Sequence, residues 1–301
     1  MGRPNKGQHK MPSTYLEAFS DVNGFVWVLN RDLKVFSQKP DEVLREKDFY
    51  TIRFPDGGGT LDVETKLLGT IEGAFADIYR RKLSRFAPLE KREKAIMAAF
   101  IASMMERSPG SRVALTKFLD DVNRMTAQMM AMPDEKKKKM VRFSASLGGG
   151  QSIPASVFLE VSKDVGSLHS SMIGAGINFV APIIYDMKWT FMIVPEGDFF
   201  ITSDNPCVAT NPADHFWPGL GMEDIEVSLP LSPSLAVLCG WKIKKDGMYI
   251  SVDKDTVSEI NRRTRRYGDS LLSNQRRYLE HKAVSIKQHR DKQAKTMGLS
   301  K

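Results

Sequence analysis

Two hydrophobic periods alternate along this chain. After an Asn23-Gly24 turn signal, residues 25–30 (Phe-Val-Trp-Val-Leu-Asn) are strong strand formers, and residues 33–37 suit a partner strand. Residues 51–54 read as another extended piece. From Thr60 the apolar positions recur three and four apart. Thr60 or Asp62 can cap, and Leu67, Leu68, Ile71, Phe75, Ile78 and Tyr79 line one helical face. A second helix is expected from Pro88 to about Arg107, with Ile96, Phe100 and Met104 inward, and a third over residues 111–132. Residues 154–187 are helical in pattern. At Trp189 the period of two returns: residues 189–194, then 199–202 running back antiparallel, then 225–231, 235–239 and 248–252. A last helix, capped by Asp255 or Thr256, places Val257, Ile260, Thr264, Tyr267 and Leu271 on one stripe.

These elements predict an α+β fold. An N-terminal β-hairpin and a C-terminal antiparallel sheet pack on a central layer of helices, and the chain ends in a basic helix. The expectation is a single domain over residues 1–301, with an ordered core at 12–285 and mobile stretches at 1–10 and 286–301.

Composition narrows the class. Of 301 residues, 42% are hydrophobic and 27% charged, as in soluble globular proteins. No apolar run approaches the roughly 20 residues of a bilayer span. The first residues lack an apolar signal core, so a cytoplasmic protein with no membrane partner is expected. Cys207 and Cys239 sit in apolar, strand-like surroundings and read as buried thiols. Two cysteines leave no room for a disulfide framework or a cysteine-based zinc site. Gly57-Gly58-Gly59 is a connector, because no phosphate-loop Lys-Ser/Thr follows it.

Charge changes the picture more. Residues 261–301 hold twelve Lys and Arg against Asp269, Glu280 and Asp291, whereas the other 260 residues hold 32 basic against 33 acidic. The whole net charge of +8 therefore resides in the last forty residues, which points to an anionic partner, nucleic acid being the commonest. Arg262, Arg263, Arg265, Arg266, Arg276 and Arg277 are the candidate nucleic-acid ligands, extended by Lys282, Lys287, Arg290 and Lys292.

The stretch 198–206 (Asp-Phe-Phe-Ile-Thr-Ser-Asp-Asn-Pro) carries the candidate chemistry. An apolar strand runs into a rigid polar turn and delivers one carboxylate, Asp204, to a sheet edge. Glu64 and Glu72, eight residues apart, share a helical face two turns apart. With Asp204 they would offer oxygen ligands to Mg²⁺ or Mn²⁺, and His9 or His215 would carry protons. Arg107 continues an inward stripe and needs an acidic partner, for which Asp204 is one candidate. A Ser203 nucleophile is the weaker alternative, because the G-x-S-x-G turn is missing.

Four segments together resemble a bacterial family of unknown function, the domain-of-unknown-function 4238 family. They are His9-x-x-Pro12-x-x-Tyr15-Leu16-x-x-Phe19, Asp48-Phe49-Tyr50, Phe200-Ile201-Thr202-Ser203-Asp204-Asn205-Pro206, and Pro230-Leu231-Ser232-Pro233. They span the chain from His9 to about Tyr267. Lys10 and Met11 depart from the family's aromatic and branched pattern. The resemblance implies no activity. Two readings follow. In the favoured one a non-catalytic binding or regulatory module contacts nucleic acid through the basic C-terminal helix, with Asp204 capping backbone amides. In the alternative a metal-dependent phosphodiesterase or nuclease is centred on Asp204, with His9 and the two glutamates converging on it.

Overall fold

The computed structural model describes residues 7–47, 49–53, 59–60, 63–133, 135, 164–211 and 219–296. The expectations for Asp48, His215 and residues 136–163 lie outside them. The chain opens with β1 (Gly7–His9), α1 (Ser13–Leu16) and a 3-10 turn (Glu17–Phe19). The hairpin β2 (Val26–Leu29) and β3 (Val35–Gln38) follows, then β4 (Arg45–Lys47), β5 (Ile52–Arg53) and β6 (Gly59–Thr60). A π-helical turn (Val63–Leu68) leads into α2 (Gly69–Arg81), α3 (Lys91–Glu106), α4 (Pro109–Met130) and α5 (Val165–Asp186). The C-terminal part holds β7 (Lys188–Ile193), β8 (Thr202–Ser203), β9 (Val208–Thr210), β10 (Glu226–Ser232), β11 (Leu235–Gly240), β12 (Met248–Ser251), α6 (Lys254–Tyr267), β13 (Leu271–Ser273) and α7 (Arg276–Thr296).

The fold is α+β, as the two periods imply. A five-stranded sheet has the order β12-β7-β11-β10-β9, antiparallel except for the parallel β12–β7 pair. Alternation divides its faces. Trp189, Phe191, Val227, Leu229, Val237 and Cys239 face the main core with α2, α3 and α5, while Met192 and Ala236 face Val257 and Ile260 of α6. A four-stranded sheet has the order β3-β2-β13-β8. Val26, Val28 and Leu272 join the main core from one side of it, and Leu29 and Leu271 meet Leu279 of α7 on the other.

Local signals explain the helix ends. Glu90 and Glu93 form a reciprocal capping box at the start of α3. The α6 cap is Asp253, whose side chain accepts from the Thr256 amide, rather than Asp255 or Thr256 itself. Two expectations are corrected. Residues 199–202 do not pair with β7: the Phe200 amide donates to the Pro233 carbonyl, and only Thr202–Ser203 is strand, in the other sheet. The last helix stops at Tyr267, so Leu271 is a strand residue and the basic stretch is two helices, not one. The N-terminal hairpin is part of the smaller sheet, because β13 pairs directly with β2.

Among the described helices α5 is long and apolar enough to cross a membrane, by length and composition alone. Ser, Gly, His and Asn interrupt its apolar residues in the first two thirds, and it carries no Asp, Glu, Lys or Arg between Val165 and Tyr185. Ile173, Ile177, Val180 and Ile184 bury one face in the core, and a packed core helix meets the same description.

Candidate functional site

The polar turn after β8 is a junction of several elements. Tyr15 of α1 is fully buried, and its hydroxyl donates to the Pro230 carbonyl at 2.8 Å. A phenol has one proton, so the Thr202 hydroxyl, 2.7 Å away, donates to the Tyr15 oxygen. Burial raises the Tyr15 pKa, which keeps the phenol neutral. Two residues on, Asp204 is buried, and its Oδ1 accepts from the amides of Asp269 at 2.9 Å and Ser270 at 3.2 Å. Its own amide donates to the Ser270 carbonyl. The Asn205 side chain donates to the Tyr267 carbonyl. Asp204 thus closes the connection between α6 and β13.

Burial holds the Asp204 carboxyl above the usual aspartate range; the two amides and the Lys10 ammonium act against that shift, and Asp269 adds to it. The folded state therefore binds this proton more tightly than the unfolded chain does. The group's contribution to stability is full below the ordinary aspartate range and is lost as pH rises through that range to the raised value. Asp204→Asn keeps an acceptor for both amides and cannot titrate. Relative to it, the wild type should lose stability as pH rises across that window, read as the difference between paired urea-unfolding curves. A difference that does not change with pH would contradict the raised value.

The other suspected acid–base and metal residues point elsewhere. His9 Nε2 donates to the Asp41 carbonyl at 2.7 Å. Glu72 is taken by Arg107, at 2.5 Å, and Arg107 does not pair with Asp204. Glu64 lies in the π-helical turn, with its side chain outside the described residues. Among the described residues no three His, Cys, Asp or Glu side chains gather as a metal site. Ser203 Oγ accepts from the Asn205 amide. Both cysteines are buried, and burial pushes both thiols up.

A second polar locus lies where α3 and α5 meet. The ring of Phe49 has the Lys10 ammonium on it at 5.8 Å and the Arg112 guanidinium at 5.3 Å, and Glu46 pairs with both cations. His169, buried, presents its edge to the same ring, and its Nε2 donates to the Glu106 carbonyl. Desolvation lowers its pKa, so the imidazole is neutral. Phe49 belongs to the Asp48-Phe49-Tyr50 segment that carries the resemblance, but nothing in the sequence joined it to Glu46, Arg112 and His169, which come from separate elements.

The basic helices divide by pairing. Glu259 receives Arg262 at 2.6 Å and Arg263 at 2.9 Å, which holds its carboxyl down at about 2. Arg263 also reaches Glu226 at 2.8 Å, and Arg276 pairs with Glu280 while lying over Trp27. Arg265, Arg266 and Arg277 have no carboxylate within 4 Å among the described residues. Arg31, on the β2–β3 turn, joins this unpaired set, and nothing in the sequence placed it beside α6.

A family model described as a protein of unknown function (DUF4238) matches residues 7–270. The chain belongs to the DUF4238 family. The matched region of this DUF4238 protein runs from β1 to the turn that Asp204 holds, and so includes α6 but not β13 or α7. Segments 9–19, 200–206 and 230–233, which carry the resemblance, meet at the Tyr15 hydroxyl. No curated protein and no solved structure matches the chain.

Proposed function

We propose that this DUF4238 protein is a non-catalytic module that binds nucleic acid through α6 and α7. The reading is carried by the unpaired Arg265, Arg266 and Arg277, set on helices that hold the whole positive excess of the chain. Guanidinium forks without a carboxylate partner suit phosphate oxygens. Arg262, Arg263 and Arg276 are already held by carboxylates and position the helices more than they offer free charge. Asp204 accepts from two amides, which supports a structural role over a metal-centred one.

The test is fluorescence anisotropy with single- and double-stranded DNA and RNA across a salt series. Affinity should fall linearly on logarithmic axes, and each lost phosphate contact should reduce the slope by roughly 0.7–0.9. The triple variant Arg265→Gln, Arg266→Gln, Arg277→Gln should lose about tenfold or more at low salt. Strand cleavage with Mg²⁺ or Mn²⁺ that disappears in a folded Asp204→Ala protein would overturn the non-catalytic reading. Salt-insensitive or absent binding would overturn the nucleic-acid reading.

A further inference from the structure

The unpaired arginines are not spread evenly over the surface. Arg265 near the end of α6, Arg31 on the β2–β3 turn and Arg290 on α7 converge on one cleft of about 420 Å³. That volume lies in the range of small-molecule sites. Leu33 and Ile286, both half-buried, supply apolar lining. Arg290 Nη1 donates to the Arg31 carbonyl at 3.3 Å, which ties α7 to the turn and leaves the rest of its fork free. None of the three guanidiniums has a carboxylate within 4 Å among the described residues. Asp269 is the one acidic residue of the lining, so three arginines and one aspartate border the cleft. The crowding reaches beyond the cleft: burial and the Arg265 guanidinium together hold the Lys282 ammonium below its usual range.

We propose that this cleft binds the terminal phosphate monoester of a nucleotide, with Arg31, Arg265 and Arg290 as its ligands. Charge selects the monoester. The lining has an excess of two positive charges, and a phosphate monoester carries about −1.5 to −2 at pH 7, whereas an internal phosphodiester carries a single charge. Shape agrees, because three forks from three elements can surround a terminal group that exposes three oxygens. The apolar lining beside them accepts the sugar or base. The phosphate arrives either on a free mononucleotide or on a strand end, and the second source rests on the nucleic-acid reading above.

The test uses the full chain and matched single-stranded oligonucleotides, labelled internally, with a 5′-phosphate, a 3′-phosphate or hydroxyl ends. Competition by a nucleoside monophosphate and calorimetry with that mononucleotide alone complete it. At least one phosphorylated strand should bind about tenfold more tightly than the hydroxyl strand. That ratio should fall to one in Arg265→Gln and in Arg31→Gln, each shown to be folded by its unfolding curve. Arg277→Gln, outside the cleft, should weaken all strands alike and keep the ratio. Equal affinity for all ends with no calorimetric binding overturns the cleft proposal and leaves the surface reading intact. Mononucleotide binding lost in Arg265→Gln, with no strand binding at all, keeps the cleft and overturns the surface reading. Failure of both measurements overturns both.

Discussion

Replacing Glu72 by Gln should cost the protein about 3 kcal/mol of stability, because it strands a buried guanidinium. Arg107 caps the end of α3 and is 1% exposed. Its Nη1 meets Glu72, its Nη2 lies 3.4 Å from the Met104 sulfur, and its Nε has no partner. Glu72 is therefore the one carboxylate matched to this charge among the described residues. Water reaches Glu72, whose side chain is 24% exposed, so the cost should fall at the low end of the roughly 3–5 kcal/mol seen when a buried pair loses one member. Arg107→Met should cost less, since it removes the charge that needs compensation and leaves the carboxylate to solvent. The double variant Glu72→Gln, Arg107→Met should then recover most of the loss. Urea unfolding of the four proteins measures the coupling directly. Costs that simply add would show that the two side chains do not depend on one another.

Gly268→Ala should destabilise by about 2 kcal/mol or more, through contact alone. The backbone there has φ −103° and ψ 139°, which any residue adopts, so the change introduces no dihedral strain. A Cβ would stand 2.5 Å from Ser203 Cβ, 2.7 Å from Ser203 Oγ and 3.1 Å from Asp204 Oδ1. Ser203 Cβ is fixed to the backbone of β8 and cannot swing away, so α6 and β8 must move apart. That movement also stretches the two amide bonds on Asp204. Adding Ser203→Gly removes the opposing atoms and should restore much of the loss, at the expense of the Asn205 amide contact to Ser203 Oγ. Denaturant midpoints of the single and double variants decide it. If Ser203→Gly gives no rescue, the close approach is not what requires glycine at this position.

The two variants mark where the sequence was readable and where it was not. The stripe Val257, Ile260, Thr264 announced α6 and its buried face correctly, because neighbouring turns of one helix determine it. The same spacing ran on to Leu271, and nothing local said otherwise. The helix ends where it does because Asp204, some 65 residues earlier in the chain, takes the amides of Asp269 and Ser270. In the same way the pattern showed Arg107 facing inward but could not name Glu72, which comes from α2. Strands 225–231 and 235–239 were legible by alternation, and they form the β10–β11 hairpin. Residues 199–202 shared that composition, but only Thr202 of them is strand, and with Ser203 it pairs with Leu271–Leu272 rather than with the preceding strand. The arginines were visible as charge. The carboxylates that neutralise Arg262, Arg263 and Arg276 lie three or four residues away, with Glu226 a further partner of Arg263, whereas the placing of Arg31 with Arg265 depends on contacts across more than two hundred residues.

The strand order of the smaller sheet bears on how the chain reaches its fold. β13 lies between β2 and β8, so a strand near the C-terminus occupies the interior of a sheet that begins with the N-terminal hairpin. During synthesis β2 emerges early and has β3 on one edge only. Its other edge stays open until Leu271–Ser273 has been made, some 240 residues later. Closing a loop of that length precedes any reward from the pairing, which favours slow, late completion of the sheet. Until then the nascent chain carries an unpaired strand edge next to apolar residues, the kind of surface that pairs with other chains.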